Sequence, residues 1–182
     1  MDSSETLKKQ IIELQSIAWP LPSSTKPEDV IWPEDIKIHQ TSFVIIHKGI
    51  AVCHVAVLAK EICHKGIIYK VYALNEVVTH PFYRRRGLGL QLIKKAAEYI
   101  EESSADISIF TCYAPYIRFY SRAGWEYMQD TCVVGGSIAK PLRSGDLRLS
   151  TMMRFYSDMA KSNRKDFENS DVYLELGERN LW

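Results

Sequence analysis

The sequence has almost no surplus charge. Twenty-three Lys and Arg stand against 22 Asp and Glu in 182 residues, a formal net charge of +1. A chain this neutral lacks the overall basic field of a nucleic-acid binder. Long apolar runs are missing too: none approaches the roughly 18 residues that a membrane span needs. Glycine (9) and proline (7) are too few for collagen-like or low-complexity chains. The N-terminal stretch MDSSETLKKQ is polar and carries no signal-peptide pattern. Cysteine is sparse: Cys53, Cys63, Cys112 and Cys132 form no C-x-x-C pair, which reads as reduced thiols in a cytoplasmic protein. Cys53-His54 and Cys63-His64 invite a zinc reading. Zinc ligands usually come two to four residues apart with a second pair downstream, so neighbouring strand residues are the better account and no metal is expected.

What is present suits one domain. Hydrophobic residues make up 46% of the chain, enough for a sizeable core. Charge is uneven along it. Residues 1–35 hold seven acids and three bases, whereas residues 79–97 hold five bases (Arg84, Arg85, Arg86, Lys94, Lys95) and no acid. A local cationic patch on a neutral protein suits a small polyanion.

Periodicity predicts an amphipathic helix over 4–18, with Leu7, Ile11, Leu14 and Ile17 on one face, Asp2 and Glu5 as cap and return partner, and Pro20 and Pro22 as stops. Residues 19–40, with four prolines, read as irregular. Strands are predicted at 41–46, 50–60 and 67–79, joined by turns at His47-Lys48-Gly49 and His64-Lys65-Gly66. A helix follows over 87–102, then a strand at 106–111, a helix at 115–122 closed by Gly124, and strands at 125–134 and 146–153. Residues 157–170 are polar enough to fray. The fold class is α+β, as a single domain: an N-terminal helix and acceptor-side loop (1–40), a core (41–134), and a C-terminal strand and tail (135–182).

The sharpest signal is VVTHPFYRRRGLGLQLI, residues 77–93. A strand ends, an arginine-rich loop follows, and two glycines open a helix. Helix N-termini present unpaired N–H groups and a positive dipole end, and glycine lets those amides approach an anion. The pattern is neither a Walker A loop nor a three-glycine dinucleotide fingerprint. It fits a phosphate or pyrophosphate cradle, with an exposed basic loop before an ordinary helix as the plainer account.

Arg84-Arg85-Arg86-Gly87-Leu88-Gly89 resembles the Arg/Gln-x-x-Gly-x-Gly/Ala loop of the GCN5-related N-acetyltransferases (GNAT). YIRFYSRAGWE (116–126) resembles that family's second hallmark, a helix with an aromatic pair followed by Gly-Trp/Phe. The two cover about residues 70–127. The resemblance implies a GNAT fold, a mixed and mostly antiparallel sheet flanked by helices. It implies acetyl-CoA as co-substrate, held by Val77, Val78 and Thr79 of the preceding strand and by Arg84, Arg85, Arg86, Gly87, Leu88, Gly89 and Leu90, with Tyr120 near the coenzyme sulfur. It also implies direct transfer to an amine in a ternary complex, without an acyl-cysteine at Cys112.

A narrower similarity, in FVIIHKGIAVCHVAVL (43–58), SRAGW (121–125) and the terminal Trp182, points to aminoglycoside 2'-N-acetyltransferases. That likeness implies an acceptor side formed by Asn75, Glu76, Thr111, Asp146, Asn180 and Trp182, the last through its terminal carboxylate. Asn75 stands where those enzymes carry a glutamate and Asn180 where they carry an aspartate, while Asp146 matches. The apolar pair Leu181-Trp182 is costly to leave in water, so an anchored tail is expected. Related acetyltransferases are often dimers, which makes a homodimer an expected assembly.

Acyl transfer to an amine poses two proton problems. A lysine-like amine of pKa about 10.4 costs roughly 4.6 kcal/mol to deprotonate at pH 7, an α-amino-like amine only about 1 kcal/mol. Glu76 is the candidate base, with the Trp182 carboxylate as the other candidate proton acceptor; the plainer account makes Glu76 a surface or inter-strand carboxylate. Strand alternation sets Asn75 and Glu76 on opposite faces unless a bulge intervenes. Tyr120 is the candidate acid for the thiolate, or else a core aromatic beside Phe119. Three readings stay open: transfer to a small-molecule amine, transfer to a peptide or protein amine, and a non-catalytic acyl-CoA-binding module.

Overall fold

The computed structural model describes residues 3–26, 29–30, 39–137 and 139–174. Asp2, Asn180, Leu181 and Trp182 lie outside the described residues, so the helix cap at Asp2 and the anchored C-terminus do too. Helix α1 (Ser3–Ala18) leads into β1 (His39–His47), β2 (Ile50–His64) and β3 (Ile67–Thr79). Helix α2 (Leu88–Glu102), β4 (Ile107–Tyr113), the short helix α3 (Ile117–Ser121) and β5 (Glu126–Met128) follow. The remainder holds β6 (Cys132–Ser137), β7 (Lys140–Arg143), β8 (Leu149–Phe155), the short helix α4 (Asp158–Ser162) and β9 (Asp171–Tyr173).

The main sheet runs β1-β2-β3-β4-β8-β5. Its one parallel pair is β3–β4; its other pairs are antiparallel. The crossover from β3 to β4 is α2, whose Leu92, Ile93, Ala96, Ala97 and Ile100 are buried. They join Val55, Val57, Val71 and Ala73 of β2 and β3 in the core. Trp125 is 1% exposed and donates its indole N–H to Ser108 Oγ at 2.9 Å, satisfying the one polar group of a large buried ring. On α1 the buried face is Ile11, Ile12 and Leu14, whereas Ile17, expected on that face, is exposed.

The expected strand at 125–134 is two strands in two sheets. The chain turns at Asp130, whose φ is +58°, and β6 leaves the main sheet. It forms a second sheet, β7-β6-β9, in which β6 and β9 run parallel. The stretch 157–170, expected to fray, is ordered. Ser157 caps α4 through Ala160 N–H, and Phe167 is fully buried against His64, Tyr69 and Phe155. Burying one such ring stabilises by about 1.5–3 kcal/mol, enough to hold a short polar segment down. Lys60 of β2 also donates its ammonium to the carbonyl of Leu174, tying β9 to the main sheet.

Candidate active site

The parallel pairing of β3 with β4 is short. Register pairs join only Val71 to Ile107 and Tyr72 to Ser108, yet β3 runs on to Thr79 and β4 to Tyr113. Beyond Tyr72 the strands diverge, so the β4-facing backbone edge of 75–79 is open to a ligand. Strand edges with free N–H and C=O groups are ready hydrogen-bonding templates.

At the open end of β3 stands the glycine loop. A 3-10 turn at Pro81–Tyr83 is followed by Arg85 at φ +61° and Gly87 at φ +81°, which caps α2. The first helical bond runs from Gln91 N–H to the Gly87 carbonyl at 2.9 Å. The N–H groups of Leu88, Gly89 and Leu90 therefore have no intrahelical acceptor. A Cβ at Gly87 would project into open space, the space an anion over this helix end would fill. A Cβ at Gly89 would meet Thr79 Oγ1 at 3.2 Å and the Phe119 ring at 3.4 Å, so this glycine sets how closely α2 approaches β3 and α3. The three arginines divide their tasks. Arg84 Nε donates to the Thr79 carbonyl at 3.0 Å and closes the loop, and Arg86 lies 5.2 Å over the Tyr83 ring. Arg85 is exposed on its left-handed backbone.

Val77 and Thr79 point toward the α2 side, where Thr79 Oγ1 lies 3.1 Å from Cys53 Sγ. Val78 is buried, so its backbone is the part that can meet a ligand.

A bulge does intervene on β3. Ala56 pairs with Asn75 and His54 with Val78, so Glu76 and Val77 together oppose Val55. Glu76 takes φ +52°, a left-handed conformation that costs a non-glycine residue roughly 1–2 kcal/mol. The bulge re-aims its side chain toward α1, where Gln15 Nε2 donates to the carboxylate at 2.6 Å. Burial pushes the Glu76 carboxyl above its ordinary pKa, and the Gln15 bond opposes that rise. Gln15 is a residue the sequence does not single out, because it lies 61 positions from its partner.

Tyr120 of α3 is half-buried between Phe110 (ring centroids 4.8 Å) and Phe119 (5.1 Å). Burial, then the neighbouring Cys112 and Tyr116, push its phenol pKa upward, so it holds its proton at neutral pH. The Cys112 thiol is pushed up to about 11 by burial, the opposite of what a nucleophilic cysteine needs. Thr111 sits on β4 opposite Thr151. Asp146 is exposed on the turn between β7 and β8, beside Arg143 and at the end of the sheet where Tyr113 pairs with Leu149. Among the described residues, Asp146 makes no hydrogen bond or ion pair with Glu76 or Tyr120. Among the described residues no group of three or more His, Cys, Asp or Glu is arranged to hold a metal ion, and no helix is long and apolar enough to cross a membrane.

Residues 2–128 match the family model described as an acetyltransferase (GNAT) domain. No curated protein matches the sequence. Solved structures resemble the fold. One is a probable N-acyltransferase from Enterococcus faecalis, with TM-score 0.55 at 16% identity over 70% of this chain and 31% of that one. Another is glucosamine-6-phosphate N-acetyltransferase from Arabidopsis thaliana, with TM-score 0.52 at 16% identity over 68% and 86%. The Escherichia coli protein ElaA gives 0.53 at 14% identity over 85% and 92%. The chain spans about a third of the length of the Enterococcus protein.

Proposed function

Because this chain belongs to the GNAT acetyltransferase domain family, whose members take acetyl-CoA as co-substrate, we propose that it moves the acetyl group to a primary amine of a small molecule, an aminoglycoside or another amino sugar. The observation that supports this reading is the free amides after Gly87 at the end of β3, together with a bulge that re-aims Glu76 on that strand and a Tyr120 phenol that keeps its proton on α3. The amides of residues 85–90 hold the coenzyme pyrophosphate. Glu76 takes the proton of the acceptor ammonium, directly or through one water. The neutral nitrogen attacks the thioester carbonyl, the carbon–sulfur bond breaks, and the Tyr120 phenol protonates the departing thiolate. Asn75, Thr111 and Asp146 contribute to the acceptor side.

A screen of aminoglycosides, polyamines and peptides, read as free thiol released from acetyl-CoA, tests the acceptor class. Thiol release with amino sugars is the expected result. Release with peptides alone would move the acceptor to a protein amine, and coenzyme binding without turnover on any amine would make the chain a binding module.

Gln15 supplies a test of the base. Its bond lowers the Glu76 pKa, so Gln15→Leu should raise it. Glu76 acts deprotonated, so the acid limb of the kcat/KM profile should move to higher pH. An unmoved limb would detach Glu76 from the rate.

A further inference from the structure

Beneath the bulge lies a histidine that the proposed chemistry does not use. His54 of β2 is fully buried. Cys53 and Thr79 face α2, so alternation turns His54 and its neighbour Ser42 to the other side of the sheet, the side of α1. The imidazole bridges two groups there. Its Nδ1 lies 3.3 Å from the Glu76 carbonyl oxygen and its Nε2 lies 3.2 Å from Ser42 Oγ. A carbonyl only accepts, so Nδ1 carries the hydrogen. Nε2 is then the acceptor and the Ser42 hydroxyl donates to it. Every polar atom of the ring has a partner in one tautomer.

The bulge takes Glu76 out of the ladder with β2, since no residue of β2 pairs with it. Its carbonyl needs a donor from elsewhere, because a buried unpaired carbonyl is unfavourable. We propose that His54 is a positioning residue for acetyl transfer: as the Nδ1–H tautomer fixed by Ser42, it supplies the missing strand bond and locks Glu76 in its left-handed backbone. The proposal rests on Glu76 being the base. With its carbonyl held by His54 and its carboxylate by Gln15, Glu76 is fixed at both ends, by β2 and by α1. Burial lowers the imidazole pKa to about 4, so the ring is neutral across the physiological range and keeps this tautomer. Among the described residues, the ring's hydrogen-bond partners are the Glu76 carbonyl and the Ser42 hydroxyl.

Two variants separate positioning from packing. His54→Leu fills similar space without a donor, and His54→Asn keeps an N–H close to where Nδ1 stands. For a lysine-like acceptor, whose amine needs a base, His54→Leu should lower kcat at least tenfold, while the KM for acetyl-CoA changes less than threefold. For an acceptor amine of pKa near 7.7, which barely needs a base, the loss should be under threefold. His54→Asn should restore most of the rate. Equal losses with both acceptors, or equal losses in both variants, would reduce His54 to packing. Nitrogen NMR of the wild-type imidazole supplies a readout free of turnover. Hydrogen on Nδ1 is expected, and hydrogen on Nε2 would overturn the strut. If the wild type acetylates no amine but the Nδ1–H tautomer is found, the strut stands as structure and its catalytic role fails with the reading beneath it.

Discussion

Gly87→Val should cost the protein at least a hundredfold in acetyl-CoA affinity while leaving it folded. The residue sits at φ +81°, where a β-branched side chain is strained, and its Cβ would project into the open space above the first turn of α2. Strain of about 1–2 kcal/mol is small beside the stability of a domain this size. The ligand loses more. Hydrogen bonds to a charged group contribute about 1.5–3 kcal/mol each, so displacing the pyrophosphate from two amides costs about 3–6 kcal/mol. At about 1.4 kcal/mol per decade that is roughly 10² to 10⁴ in Kd. Gly89→Val should act differently. Its Cβ would press on Thr79 Oγ1 at 3.2 Å and the Phe119 ring at 3.4 Å, so it forces α2 away from β3 and α3 and lowers stability as well as affinity. Titration calorimetry with acetyl-CoA, alongside thermal melts, separates the two. Wild-type affinity in both variants would remove the loop from coenzyme binding.

Tyr120→Phe should slow acetyl transfer by about 10² to 10⁴-fold, the usual loss on removing a general acid. The ring contacts with Phe110 and Phe119 survive the change, so coenzyme affinity and melting temperature should stay close to wild type. The direction of the pKa shift sharpens the test. Burial raises the phenol above its ordinary value of about 10, so the acid form is the one present across neutral pH, and Tyr120 contributes no titration there. A wild-type kcat with an unchanged profile would return Tyr120 to ring packing between its two phenylalanines.

Much of this site could be read along the chain because its parts are local. The strand to Thr79, the loop that follows and the helix to Glu102 depend on residues within a few positions of one another. Alternation, a 3.6-residue period and two glycines specify them without help from afar. The free amides of α2 follow from the same stretch, since any helix start leaves its first N–H groups unpaired. The short helix carrying Tyr120 and its closing Gly124 at φ +98° were legible for the same reason.

Pairing across the chain decided the rest. The facing of Glu76 depends on a one-residue mismatch with β2, and a single slip of register turns a side chain to the other face. Its two tethers lie 61 positions away at Gln15 and 22 at His54, beyond any local pattern. The departure of β6 into a second sheet at Asp130 and the burial of Phe167 under β2 and β3 belong to the same class. Strand periodicity says that a segment is a strand, but not which neighbour it joins. A polar segment such as 157–170 shows its anchor only when one aromatic ring, Phe167, meets His64 and Tyr69, which lie far earlier in the chain. Local periodicity thus determined most of the elements and the unpaired amides at the start of α2. Only long-range packing, which sets register and burial and through them pKa, decided where the side chains of Glu76 and Tyr120 point.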